Sequence, residues 1–324
     1  MISLLATSFC FIPETTSDHY PKITEYTYTS QSNYLPFNGL ISYDFDSLII
    51  PIKRAGRLLM VEATVDGETG NLIFDTGANG IVLNRTYFRN HVVANQISSN
   101  GITGAVGDVD EIMVDILSIS DITFSKSKAN LADLGHIENR RGVKVLGLFG
   151  FALLKDFEIQ IDIMNGLLKL YRLDKKGNLI NTDNQFKPDF TEKMDVLNNI
   201  VFIKASIGSK SLRFCFDTGA ETNAINSDAP NAVLKTVTIQ RKSSLRGAGS
   251  QVNQVLFGTM NNFELGDRKL LNMETIITNL DHLTEAYGTH IDGMLGFNFL
   301  TKGIICINFG KKQFGIHFNN KGDL

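Results

Sequence analysis

The stretch NLIFDTGANGIVLN occupies residues 71–84, and RFCFDTGAETNAIN occupies residues 213–226. Both contain FDTGA, in which an aspartate ends an apolar run and Thr-Gly-Ala follows. Apolar runs of four to eight residues rich in Val, Ile and Phe, set between turn residues, read as β-strands. Each aspartate is therefore expected at a strand end, with Thr-Gly-Ala opening a turn. A single copy would read as a capped turn, the carboxylate bonding its own backbone and the glycine easing the chain reversal. Two copies call for a further explanation.

Working outward from them, the chain repeats itself. Asp217 follows Asp75 by 142 residues. The glycine-rich GAVGDV (104–109) has a counterpart in GAGSQV (247–252). LFGFALLKDFEIQID (148–162) aligns without a gap on MLGFNFLTKGIICIN (294–308), bringing Gly150 onto Gly296. Three landmarks in one order and at nearly one offset indicate an internal duplication. Strand-like runs, SLIIPI (47–52), LLMVEATV (58–65) and GNLIFD (70–75), are echoed by NIVFIKASIG and SLRFCFD before Asp217. The expected fold class is all-β, with two similar β-barrel-like lobes. The boundaries are an extended leader at 1–39, a first lobe at 40–173, a polar linker at 174–194 and a second lobe at 195–324. The 324-residue length agrees with two cores rather than one.

Composition narrows the function classes. Acids and bases are mixed, the formal net charge is −3, and no basic block offers a footprint for nucleic acid. Arg140–Arg141 reads as a solvated loop. Phenylalanine, 22 residues against no tryptophan, must supply the large core volume. The three cysteines form no CxxC pair, and the six histidines form no HExxH, so no metal site is expected. Cys215 and Cys306 lie in apolar runs and read as buried thiols, with a disulfide between them as the other arrangement the sequence allows. No apolar run reaches membrane-spanning length. The start, MISLLATSFCFIP, has a short apolar stretch but no Lys or Arg before Lys22, so it is an incomplete secretory signal. The reading leans toward export (periplasm, envelope or secretion) over the cytoplasm. NRT at 84–86 fits a glycosylation sequon. GITGAVG (101–107) matches a nucleotide-binding fingerprint only loosely, because no amphipathic helix follows it. No cofactor is expected.

Paired Asp-Thr-Gly motifs, each followed downstream by two hydrophobic residues and a glycine, resemble the aspartic peptidases, in both their two-lobed pepsin-like and single-motif retropepsin-like forms. The resemblance spans roughly residues 45–318. It implies that Asp75 and Asp217 are a catalytic dyad and that Thr76 and Thr218 cross-link their loops. It also implies that Gly77 and Gly219 permit close approach of the two backbones, and that Gly150 and Gly296 belong to supporting strands. The activity implied is endopeptidase cleavage of a peptide or protein substrate by a monomer. Two carboxyl groups about 3 Å apart cannot both ionise and share one proton, which explains why two lobes are needed. Ala78 and Ala220 stand where pepsin-like chains carry Ser or Thr, as in the retropepsin form. With no hydroxyl donating to the carboxylate, a less acidic working pH is expected.

The segment GITGAVGDV (101–109) falls where this family places a flap hairpin, making Gly101, Gly104 and Gly107 flap candidates; an ordinary β-turn is the other reading. RGAGSQV (246–252) would be its counterpart in the second lobe. The alternative function is a catalytically inactive peptide-binding or cell-envelope protein that retains the fold.

Overall fold

The computed structural model describes residues 3–4, 10–11, 39–78, 80–101, 104–182, 186–246 and 252–319. In each half an alternation of apolar runs and short turns folds into a strand hairpin leading to FDTGA. Leu58–Val65 pairs antiparallel with Glu68–Phe74, and Ile200–Ile207 pairs with Lys210–Phe216. The first strand of each hairpin is buried along most of its length, with only Glu62 and its counterpart Lys204 exposed. Such burial on both faces explains why these strands are nearly continuous apolar runs rather than alternating ones.

After each FDTGA turn the chain makes a second short strand, Ile81–Asn84 or Asn223–Asn226. A third strand arrives from far downstream and inserts between the first two. Val145–Phe149 lies parallel to Glu68–Phe74 and antiparallel to Ile81–Asn84. Gly293–Leu295 does the same between Lys210–Phe216 and Asn223–Asn226. The insertion is tight enough to need glycine: a Cβ on Gly147 would stand 2.0 Å from the carbonyl oxygen of Val82, and one on Gly293 2.6 Å from that of Ala224. Each inserted strand is preceded by a short helix, Gly135–Arg141 or Asp281–Tyr287, ended by a left-handed glycine, Gly142 or Gly288.

Each lobe also extends a long hairpin. Val93–Gly101 runs against Gly104–Ile119, and Val237–Arg246 against Val252–Met260. Residues 102–103 and 247–251 lie outside the described residues. Two short leader strands, Ser3–Leu4 and Cys10–Phe11, pair with Val237–Arg246 and Val93–Gly101 respectively.

The two halves meet in a shared six-stranded sheet. Its order is Phe190–Lys193, Gln313–Phe318, Gly303–Asn308, Phe157–Asp162, Leu167–Arg172, Ser47–Pro51. Three strands come from each side of the seam, and the central pair joins Glu158 to Asn308 and Ile161 to Ile305 in register. The polar stretch 174–193 therefore does more than connect, since Phe190–Lys193 is a sheet strand paired with Gln313–Phe318. Beneath the FDTGA turns the phenylalanines form one cluster across the lobes. Phe74 meets Phe151, Phe151 stacks on Phe216 at 6.3 Å between centroids, and Phe216 meets Phe299 and Phe314. Aromatic pairs at such spacings prefer offset and edge-on arrangements, which lets a set of buried rings fill the join. The chain is thus all-β in class, two similar lobes built on one plan. Among the described residues, no helix is long and apolar enough to cross a membrane.

Candidate active site

Both aspartates are fully buried at the ends of their strands. The inserted strand holds each one from behind: the Asp75 N–H donates to the Phe149 carbonyl at 3.0 Å, and the Asp217 N–H to the Leu295 carbonyl at 2.9 Å. Each carboxylate then accepts from the glycine two residues on. Gly77 N–H donates to Asp75 Oδ1 at 2.9 Å, and Gly219 N–H to Asp217 Oδ1 at 2.8 Å. A hydrogen bond to the ionised form favours it and fixes which oxygen faces inward.

The two turns are bolted together by their threonines. Thr76 N–H donates to Thr218 Oγ1 at 3.0 Å, and Thr218 N–H donates to Thr76 Oγ1 at 2.9 Å. Each hydroxyl passes its own proton across the join, Thr76 Oγ1 to the Phe216 carbonyl at 2.8 Å and Thr218 Oγ1 to the Phe74 carbonyl at 2.6 Å. Every donor and acceptor of both side chains is satisfied by the opposite lobe, a reciprocity that only a paired motif can supply. Threonine suits the position because its hydroxyl is donor and acceptor at once.

Glycine brings the turns into contact. A Cβ on Gly77 would fall 2.7 Å from Cγ and 2.7 Å from Oδ2 of Asp217, so the first turn lies directly against the second carboxylate. The glycines of the downstream strands back the turns: a Cβ on Gly150 would meet the Ala78 carbonyl at 2.3 Å, and one on Gly296 the Ala220 carbonyl at 2.6 Å. Ala78 and Ala220 are fully buried and bring no hydroxyl. Asp75, Thr76, Gly77, Asp217, Thr218 and Gly219 thus converge on one point between the lobes. Gly101 and Gly104 face each other across the end of the first long hairpin, and Gly107 follows a register shift in the same ladder.

Neither Cys215 nor Cys306 competes as a nucleophile. Cys215 and Cys306 are both free and buried, so no disulfide joins them. Burial, and then the nearby Asp217 charge, push the Cys215 thiol well above its ordinary value. Burial likewise raises Cys306, with Glu158 adding to the effect. A thiol held protonated is a poor nucleophile. Among the described residues, no cluster of three His, Cys, Asp or Glu side chains is placed to hold a metal ion.

Two sets of residues escaped the sequence reading. Asn84 is fully buried; its amide donates to the Val145 carbonyl at 3.0 Å and its oxygen accepts from Thr86 N–H. Its counterpart Asn226 donates to the Ile291 carbonyl at 3.3 Å. These asparagines tie each post-turn strand to the segment entering the inserted strand, and a buried Asn84 is no acceptor for a glycan in the folded chain. Their common offset of 142 residues was the available signal. The second set is ionic: Arg141, expected in a solvated loop, ends a helix and pairs with the largely buried Glu221 of the other lobe.

Comparison with known proteins places these features. Residues 203–299 match the family model described as aspartyl protease. Among solved structures the chain is similar to an aspartic proteinase from Irpex lacteus, with a TM-score of 0.52 and 14% identity over 86% of this chain and 99% of that one. At that identity the likeness is one of fold. A retropepsin-like aspartic protease from Rickettsia conorii matches with a TM-score of 0.29 and 19% identity, over 42% of this chain and 97% of that one. No curated protein matches the chain.

Proposed function

We propose that the chain is an aspartic endopeptidase whose catalytic dyad is Asp75 and Asp217, a reading supported by its two-lobed fold and by the aspartyl protease match over residues 203–299. The observation that carries this reading is the threonine cross-link, which holds two buried aspartate turns in mutual contact. Nothing in a purely structural turn calls for two buried aspartate turns packed against each other, because bringing like charges together out of water is costly unless they share a proton.

The chemistry follows from that shared proton. The ionised carboxylate takes a proton from a water molecule while the water oxygen attacks the scissile carbonyl carbon. The protonated carboxyl gives its proton to the carbonyl oxygen, leaving a neutral tetrahedral diol. As the C–N bond breaks, a proton passes from the dyad to the departing amine and the diol returns its own, so the pair again holds one. Gly77 and Gly219 N–H groups hold each carboxylate against its own turn, and the threonines keep the turns from drifting apart. Such rigid placement supplies much of the rate, since orientation is worth several orders of magnitude. A single chain provides both carboxylates, so the active unit needs no second copy. The long hairpins, with Gly101, Gly104 and Gly107 on the first, would cover an extended peptide and pair with its backbone.

The test is digestion of a peptide library by wild type, Asp75→Asn and Asp217→Asn. Cleavage by wild type that is lost in both variants, and blocked by a statine-type inhibitor, is expected. Cleavage surviving either substitution in a folded protein would reject the dyad. Absence of cleavage by wild type would favour the peptide-binding alternative.

A further inference from the structure

The threonine cross-link is symmetric, but a second set of contacts between the lobes is not. Arg57 lies in the turn between strands Lys53–Ala55 and Leu58–Val65 of the first lobe. One of its terminal nitrogens donates to the backbone carbonyl of Glu221 at 3.2 Å, and the other lies 2.6 Å from Glu274 Oε2. Arg141 pairs with the Glu221 carboxylate, the two side chains being only 16% and 9% exposed. The guanidinium groups of Arg54 and Arg57 sit over the Phe297 ring, 4.7 and 6.0 Å from its centroid. Room for Arg141 is made by Gly56, whose added Cβ would meet Arg141 Nη1 at 2.5 Å.

All these contacts end on the loop that carries Asp217 or on residues hydrogen-bonded to its exit. Glu221 stands at the loop's exit, and Phe297 donates its N–H to the Ala220 carbonyl at 2.8 Å. Glu274 accepts, through its backbone carbonyl, the amide of Asn223 at 2.8 Å, and Asn223 in turn accepts from Gly296 N–H at 2.9 Å. At the other end Arg141 leads into the strand Val145–Phe149, whose last carbonyl holds Asp75 N–H. A chain of contacts therefore runs from one aspartate turn to the other by a route independent of the threonines.

The mirror positions of Arg57, Arg141 and Glu221 carry no charge. By the duplication offset, Arg57 corresponds to Asn199, Arg141 to Tyr287 and Glu221 to Asn79. Tyr287 is fully buried, its backbone carbonyl accepting from the Asn198 amide. The ionic contacts from the first lobe thus bear on the Asp217 loop.

We propose that Arg57, Arg141 and Glu221 form a one-sided ionic clamp that positions Asp217 against Asp75. They are positioning residues, acting through the loop rather than on the substrate, and their catalytic consequence rests on the peptidase reading. A buried ion pair adds little net stability over apolar packing, whereas removal of one partner leaves a charge uncompensated. Its use here is geometric: the planar guanidinium of Arg57 reaches the Glu221 carbonyl with one terminal nitrogen and Glu274 with the other, an arrangement an ammonium does not reproduce.

The experiment is a double-mutant cycle of Arg141→Gln and Glu221→Gln, with Arg57→Lys as a milder variant should the glutamine forms not fold. Each single change is expected to lower kcat about tenfold or more, since small misplacements of reacting groups cost up to about a hundredfold. KM should stay within about twofold, and the double variant should be no slower than the slower single. Arg141→Lys should recover only part of the loss. Multiplicative losses in the double variant, an effect carried by KM, or an unchanged kcat would overturn the clamp. If wild type cleaves nothing, the peptidase reading fails separately, and the clamp is judged by carbon-13 titration of the Asp217 carboxyl. That titration should move in Glu221→Gln, and an unmoved curve would sink the proposal.

Discussion

Thr218→Val removes one hydroxyl and keeps nearly the same volume, so it isolates the cross-link from packing. The structure fixes what is lost. Phe74 loses the donor to its carbonyl, and Thr76 N–H loses its acceptor. Both groups lie where water does not reach, since Phe74, Thr76 and Thr218 are all fully buried. Each orphaned polar group costs about 1–3 kcal/mol, giving about 4 kcal/mol for the pair at mid-range. A domain holds only about 5–15 kcal/mol in total. At about 2.1 cal/mol/K of unfolding entropy per residue, a chain of 324 residues loses about 1.5 °C of Tm per kcal/mol, so a fall of roughly 6 °C is expected. Thermal and urea unfolding followed by circular dichroism would measure it. The reciprocal geometry predicts an equal loss for Thr76→Val, which orphans the Phe216 carbonyl and Thr218 N–H. Thr218→Ser, which keeps the hydroxyl, should stay near wild type. A valine variant melting within about 2 °C of wild type, or a marked inequality between the two valine variants, would refute the account.

Other expectations concern the site and its surroundings. Ala220→Thr and Ala78→Ser restore a hydroxyl beside each aspartate, and the acidic limb of the pH–rate profile should move to lower pH; a limb that stays or moves up would contradict the reading. Burial raises Glu192 to about 7, against the lowering influence of Lys204. Because its folded value exceeds its unfolded one, the stability it contributes is present below about 4.5 and is lost as pH rises toward about 7. Glu192→Gln should therefore flatten the decline across that window and gain stability at neutral pH, as urea titrations at several pH values would reveal. Gly147→Ala places a methyl group 2.0 Å from the Val82 carbonyl and should largely abolish soluble folded protein; a variant with a wild-type melt would mean the inserted strand can shift.

The plan of the molecule was readable because its decisive features are local and repeated. FDTGA announces a strand end, and a second copy at a fixed offset announces a second lobe. The glycines of LFG and MLG could be aligned because the stretches around them share a pattern. What escaped depends on contacts distant in sequence. Arg141 sits beside Arg140 in a polar run, and only the folded chain brings it to Glu221, 80 residues on. Asn84 heads a glycosylation triplet, and its role is visible only once the strand entering at Val145 lies beside it. Polarity in a short window signals exposure, and it misleads where a polar group is buried by a partner from elsewhere. The stretch 174–193 shows the same effect, since Phe190–Lys193 becomes a strand only because Gln313–Phe318 lies beside it.

The shared six-stranded sheet has a mechanical consequence. Its central seam, from Glu158–Asn308 to Ile161–Ile305, passes from one half of the molecule to the other as an unbroken ladder. Swinging the halves apart like a hinge would shear that ladder and part the phenylalanine rings stacked at the join. The joint is therefore stiff in the direction in which a cleft between two lobes would otherwise gape. Any opening of the cleft would then fall to the two long hairpins, against which the strands Ser3–Leu4 and Cys10–Phe11 are paired. The molecule would behave less like a pair of jaws than like a rigid anvil.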